Sequence, residues 1–385
     1  MTTIVPASTP ASFLSLVPHL LGCVPRRSLV LVPFAHGRSL GAMRVDLPPS
    51  SDPTACVSVA STVIGMACKV ATADAVAVVV YADEPLAEAA ASAHGPLVDA
   101  TIARAEICGL RITEALIVGA DGWDDHRAPS STGPYPLPEI DESQAGLPDT
   151  RIDDDQYAAA ELPGVDDDLK EVVAEAIDAM EHVLGTVAER RRLPLDRVAV
   201  SAATASLLAE PPLLFEDAIS RAPSELTPRE LAAVSFCLER PSLRDVALMQ
   251  WAGDIRDGYA VLGAQTAYHA GAAFPEDLAR PMWGEGAHPD PDRLHRALAL
   301  CRLVAATVPP RRRPGSLSAC AWLAWAVGRS THAATYAEHA LDIDSAHGLS
   351  GIMLSMIDGG RLPEWVFERP TSRAGTSPFR GFRDR

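Results

Sequence analysis

The sequence predicts an α/β domain with a mixed sheet, followed by an all-α domain. Three observations carry this prediction. Short apolar runs, SLVLV at 28–32, AVAVVVYA at 75–82 and EALIVG at 114–119, alternate with longer amphipathic segments, and runs apolar on both faces belong to strands covered by helices. A turn at His36-Gly37-Arg38 returns the chain through LGAMRVDL at 40–47, so the first strand pair is an antiparallel hairpin and the sheet is mixed. From Asp168 onward, apolar residues recur at spacings of three and four, the period of a helix with one buried face.

Taken in order, Thr9 and Pro10 are an N-cap and first-turn pair, because the cap oxygen accepts an orphan N–H and proline has none to lose. Leu14, Val17, Leu20 and Leu21 form the apolar face of this first helix, and Gly22 terminates it. Pro25 then turns the backbone out of the helical region and into the strand. Asp52 or Ser51 before Pro53 starts a helix to about Ala71, and another runs from Gly95 or Pro96 to Gly109. Two consecutive strand–helix–strand crossovers follow, expected to be parallel and right-handed.

Residues 121–168 combine glycine, proline and acidic residues with little periodicity, the pattern of an exposed excursion closed by a short helix at 157–162. A long helix then carries Leu169, Val172, Val173, Ala176, Ile177, Met180, Val183, Leu184 and Val187, and ends in the basic run 190–192. Further helices are predicted over 196–209, 227–239, 242–252 and 290–306. Thr227-Pro228-Arg229-Glu230 is a capping box with proline at its first helical position. Arg311-Arg312-Arg313 between two prolines is expected to be a linker. Helices at 317–327 and 332–341, separated by Gly328-Arg329-Ser330, form a tetratricopeptide-like terminal hairpin, with a third helix at 345–357. The expected boundaries are 8–125 for the α/β domain, 126–168 for the acidic excursion, 169–360 for the helical domain and 361–385 for a flexible basic tail.

A net charge of −17 makes nucleic acid an unfavourable partner, since phosphate-backbone binding needs a concentrated cationic surface. Seven scattered cysteines without a CxxC pair indicate neither a disulfide framework nor a thiolate zinc site, and most are expected to be buried thiols. No secretory signal and no apolar stretch long enough to span a bilayer is read, so a cytoplasmic protein without membrane contact is expected. No GxGxxG, GxxxxGK[ST] or GxSxG element occurs in a strand-to-helix turn, so the short routes to a nucleotide cradle or serine nucleophile are missing.

The stretch Leu16-Val17-Pro18-His19-Leu20-Leu21-Gly22, with Pro25, Ser28-Leu29-Val30 and Arg44-Val45-Asp46-Leu47-Pro48, resembles the amino-terminal signature of DUF4192, an actinobacterial family of unknown function. Ala321-Trp322-Leu323-Ala324-Trp325, Gly328 and Ala340-Leu341 are similar to that family's carboxyl-terminal helical signature. Many members carry a Cys-Cys-Pro element in the excursion after the fourth strand. The matching region here, 122–138, has no cysteine, so no redox or metal role carries over from it. The resemblance implies no reaction, substrate or cofactor.

Two groups of residues are candidate sites. Arg44 and Asp46, two apart on one strand face, make an anion-binding arginine oriented by a carboxylate, or more plainly an ion pair at a sheet edge. His19 joins them if the first helix folds back over the hairpin. Asp121, Asp124, Asp125 and His126 follow a strand end, where open α/β sheets place ligands, and could hold a divalent cation, although their spacing matches no named metal motif. His332 and His339 lack a companion HExxH pattern. The leading expectation is a structural or protein-interaction protein, with a protein partner or self-association; the alternative is a small-molecule enzyme or ligand sensor with a pocket between the domains. Cofactors are left unassigned.

Overall fold

The computed structural model describes residues 7, 9–48, 52–70, 72–90, 94–142, 152–188 and 206–368. The basic run 190–192, all but the last four residues of the helix expected over 196–209, and the tail from 369 onward lie outside them. The chain forms two compact units, one of residues 1–164 with 329–361, the other of 165–328 with 362–385.

The first unit opens on α1 (Pro10–Leu21), whose capping box is reciprocal: Ser12 N–H donates to Thr9 Oγ1 at 3.2 Å, and Thr9 N–H to Ser12 Oγ at 3.0 Å. Gly22 ends the helix at φ 76°, a left-handed conformation that costs glycine no Cβ clash. β1 (Ser28–Ala35) follows, then β2 (Arg38–Ser39) and β3 (Met43–Asp46), both antiparallel to β1. Only β3 falls within the returning strand predicted over 40–47; β2 lies at the expected turn, before that stretch, and 40–42 are in neither strand. Next come α2 (Pro53–Lys69), β4 (Ala75–Tyr81), α3 (Gly95–Ile107), β5 (Arg111–Val118) and β6 (Trp123–Asp125).

The six-stranded sheet has the order β2-β1-β4-β5-β6, with β3 also on β1. β4 is antiparallel to β1 and parallel to β5. Since β3 and β4 both run against β1, the β3–α2–β4 crossover is parallel, as expected, but β1 lies between its two strands. Every residue of β4 but Tyr81 is buried, at roughly 1.5–3 kcal/mol per large aliphatic side chain. One face packs Val30, Val32, Ala77, Val79, Leu116 and Val118 against Phe13, Leu14 and Val17 of α1. The opposite face is covered by α2 and α3, which also pack on each other.

The acidic excursion is more built than its composition predicts. Trp123 is buried, stacks on Tyr135 at 4.6 Å and exchanges two backbone hydrogen bonds of 2.9 Å with it, so apolar area makes an edge strand where loop was expected. Further on, Asp153 pairs with the α1–β1 connection through Val24 N–H (3.0 Å) and Gly22 C=O (3.0 Å). Gln156 binds both the N–H and C=O of Arg26 at 3.0 Å.

The second unit is helical: α4 (Asp167–Ala188), α5 (Pro211–Ser220), α6 (Pro228–Leu238), α7 (Pro241–Ala252), α8 (Ile255–His269), α9 (Pro291–Thr307) and α10 (Arg313–Ala326). Sequence periodicity missed α5 and α8. α8 buries only Gly258 and Val261, so it has no apolar stripe to detect. In α10 every residue from Pro314 to Ala326 is buried, and a Cβ on Gly315 would stand 2.6 Å from the Leu238 carbonyl oxygen. The expected arginine linker is instead the helical turn Pro310–Arg312 leading into α10. Its Arg312 is bound to Glu181 (2.7 Å) and Glu239 (2.9 Å), charges that a half-buried guanidinium needs.

The last two helices, α11 (Ser330–Ile343) and α12 (Gly348–Asp358), group with the sheet rather than with the preceding helices. The helical stretch expected over 169–360 is therefore divided near residue 329. α10 and α11, read from sequence as one hairpin, belong to different units, and the partner of α11 is α12. Among the described residues no helix is long and apolar enough to cross a membrane.

Candidate functional site

Arg44 lies opposite Val30 and Asp46 opposite Ser28 in the β1–β3 ladder, so the period of two puts Arg44, Asp46 and Ser28 on the α1 side of the sheet. The Arg44 guanidinium is buried, at 7% exposure. Its Nη1 donates to Ser28 Oγ and to Asp46 Oδ1, each at 2.8 Å, and its Nη2 donates to Thr331 Oγ1 at the start of α11. Ser28 Oγ in turn donates to the Arg26 carbonyl at 2.6 Å. Asp46 is 59% exposed. The arginine is thus held by one solvated carboxylate and two hydroxyls, one of them from the far end of the chain.

Arg329, Asp153 and Asp155 share this neighbourhood. Burial pushes the Cys23 thiol above its ordinary range; Arg44 and Arg329 oppose that shift, and the two aspartates add to it. Asp155 accepts from the N–H groups of Tyr157 (2.7 Å) and Ala158 (2.8 Å), and these two bonds hold its carboxyl below the usual range. His19 stands in the last turn of α1, half-buried.

The four residues proposed for a cation are engaged separately. Asp121 Oδ1 accepts from Leu86 N–H at 2.7 Å, tying the β5–β6 turn to the short helix after β4. Asp124 accepts from Ser130 N–H at 2.9 Å, and Asp125 from Arg127 N–H at 2.7 Å. His126 Nε2 meets Asp99 of α3 at 2.8 Å. Asp124 and Asp125, with Trp123, Tyr135 and Glu139, line a cavity of about 690 Å³ beside the first turn of α1. Among the described residues no group of three or more histidine, cysteine or acidic side chains is arranged to hold a metal.

Sequence reasoning passed over Tyr81, the last residue of β4. Its hydroxyl is buried without a hydrogen-bond partner, as is Nε1 of Trp123, and burial pushes the phenol well above its ordinary range. The local signal was available: a phenol closing an apolar run places its one polar atom at the carboxyl end of a buried parallel strand. Thr331 and Arg329 carried no such signal.

No curated protein and no solved structure matches the chain. The model of one family, described as a domain of unknown function (DUF4192), matches residues 10–276, from the first turn of α1 through the whole sheet and beyond α8. The chain belongs to the DUF4192 family.

Proposed function

We propose that this is a structural or interaction protein of the cytoplasm, in which the sheet of the first unit carries α11 and α12 as a fixed helical surface for a protein partner or a second copy of the chain. The carrying observation is the set of bonds around Arg44. The Arg44 fork is occupied by Ser28, Asp46 and Thr331, and these bonds join the amino-terminal hairpin to α11. The carboxylates of 121–125 are likewise used on backbone N–H groups. Native mass spectrometry of the full chain tests this reading: the expected result is an assembly of copies without a retained small molecule. A monomer that retains a metabolite, and loses it in a folded Arg44→Met variant, would overturn it.

A second reading, a ligand sensor or small-molecule enzyme, is favoured by the cavity beside α1. Three carboxyl residues, Asp124, Asp125 and Glu139, surround a stacked Trp123–Tyr135 pair there, a lining suited to an organic cation. Tyr81→Phe supplies a second test of ligand chemistry on this sheet. Deleting a buried hydroxyl that has no partner leaves stability equal or raises it by about 1 kcal/mol; a clear thermal destabilisation would mean that the hydroxyl has a partner, an ordered water or a ligand, and native mass spectrometry separates the two.

A further inference from the structure

Two pairs of thiols meet in this chain. Cys301 of α9 and Cys320 of α10 interact with each other, but both are fully buried. Cys68, in the last turn of α2, lies close enough to Cys108, the residue that ends α3, for the two thiols to interact, and both are exposed. The sheet register explains the meeting. Ala75 and Arg111, the first residues of β4 and β5, are paired, and each strand is entered by a short turn from the helix before it. The carboxyl ends of α2 and α3, which pack together on one face of the sheet, are thereby delivered to the same edge. Gly109, at φ 79°, follows Cys108 immediately and leaves the end of α3 without the steric restriction of a Cβ.

We propose that Cys68 and Cys108 form a thiol–disulfide exchange site, which takes a small-molecule disulfide as its oxidant and closes to an intramolecular disulfide between α2 and α3. One protein thiolate attacks a sulfur of the oxidant, giving a mixed disulfide and releasing one small thiol. The second protein thiolate then attacks the protein sulfur of that mixed disulfide and expels the other small thiol. The protein loses two protons and two electrons, and one oxidant molecule takes them up to become two thiols. Burial and the neighbouring Cys108 push the Cys68 thiol up, while Arg104 on α3 opposes the shift. The raised Cys68 thiol has less thiolate at neutral pH, which slows its own attack on the oxidant.

The test is incubation of the folded full chain with oxidised glutathione, followed by alkylation of the remaining thiols, digestion and mass spectrometry. The expected product is a peptide pair joined through Cys68 and Cys108, formed within one chain, with Cys301 and Cys320 alkylated only after unfolding. Cys68→Ser and Cys108→Ser should each stop at a stable glutathione adduct on the surviving cysteine. Glutathione adducts that persist on both cysteines of the unsubstituted chain, or a link that forms only between chains, would overturn the proposal. Because the cysteines are read from the α2–α3 edge alone, this result is independent of the role assigned to α11 and α12.

Discussion

Replacing Arg44 by methionine keeps the aliphatic stem and removes the fork, so it isolates what the guanidinium contributes. The partners it leaves are unequal. Asp46 is 59% exposed and rehydrates, so its loss costs under about 1 kcal/mol. Ser28 is fully buried, but its hydroxyl keeps its bond to the Arg26 carbonyl, so no donor is stranded. Two charge-assisted bonds to hydroxyls, at about 1.5 kcal/mol each, are offset in part by no longer burying a cation. The net destabilisation is about 1–2 kcal/mol, or roughly tenfold in a local opening equilibrium. Hydrogen exchange read by mass spectrometry localises it: peptides of α11 and of 28–47 should exchange roughly tenfold faster in Arg44→Met, with helices of the second unit unchanged. Asp46→Asn should change them far less. Unaltered exchange in α11, or an equal effect of Asp46→Asn, would refute the reasoning that the buried fork, and not the exposed ion pair, holds this helix.

Two further outcomes concern the helical unit. Gly315→Ala should lose about 2–3 kcal/mol despite the better helix propensity of alanine, because its Cβ meets Leu238 and Glu239 backbone atoms at 2.6–2.9 Å; denaturant titration followed by tryptophan fluorescence reads it through Trp251, Trp322 and Trp325, and an unchanged midpoint would contradict it. The Glu216 carboxyl is held below its ordinary value of 4.5 chiefly by hydrogen bonds from Arg293 at 2.6 and 2.7 Å. A depressed folded-state value means stability present above 4.5 and lost as pH falls through the depressed value. Melting temperature should therefore drop less steeply below pH 4.5 in Glu216→Gln than in the unsubstituted chain, and identical slopes would count against the pairing. Glu239 and Asp245, pushed up by burial, titrate in the opposite sense, so the comparison is a difference between the two proteins.

The parts legible in the sequence are those whose cause is local. β4 was visible because a strand covered on both faces is apolar at every position, and α1 and α6 because proline and a capping side chain mark their starts. The shared face of Arg44 and Asp46 follows from the two-residue period of a strand. Thr331, which completes the arginine's bonds, is 287 residues away, and no pattern near either residue announces the other. β6 escaped because three residues inside an acidic loop show no alternation, and its one strong feature, Trp123, acts by stacking on Tyr135. The carboxylates of 121–125 were rightly seen as clustered in sequence, but a strand end followed by a tight turn aims them at different backbone groups. The opposed ends of α2 and α3 were invisible for the reason that Thr331 was: only the pairing of β4 with β5 brings Cys68 and Cys108 to one edge.

The first unit takes residues from 1–164 and again from 329–361, and this has a consequence during synthesis. At about 5–20 residues per second, the ribosome adds the intervening stretch in on the order of 10–30 s, and throughout that interval the nascent hairpin holds Arg44 without Thr331. A shortened polypeptide that stops at residue 276, where the family match ends, would be fixed permanently in that unfinished condition. Synthesis of 329–361, not the emergence of the sheet, supplies the last residues of this unit.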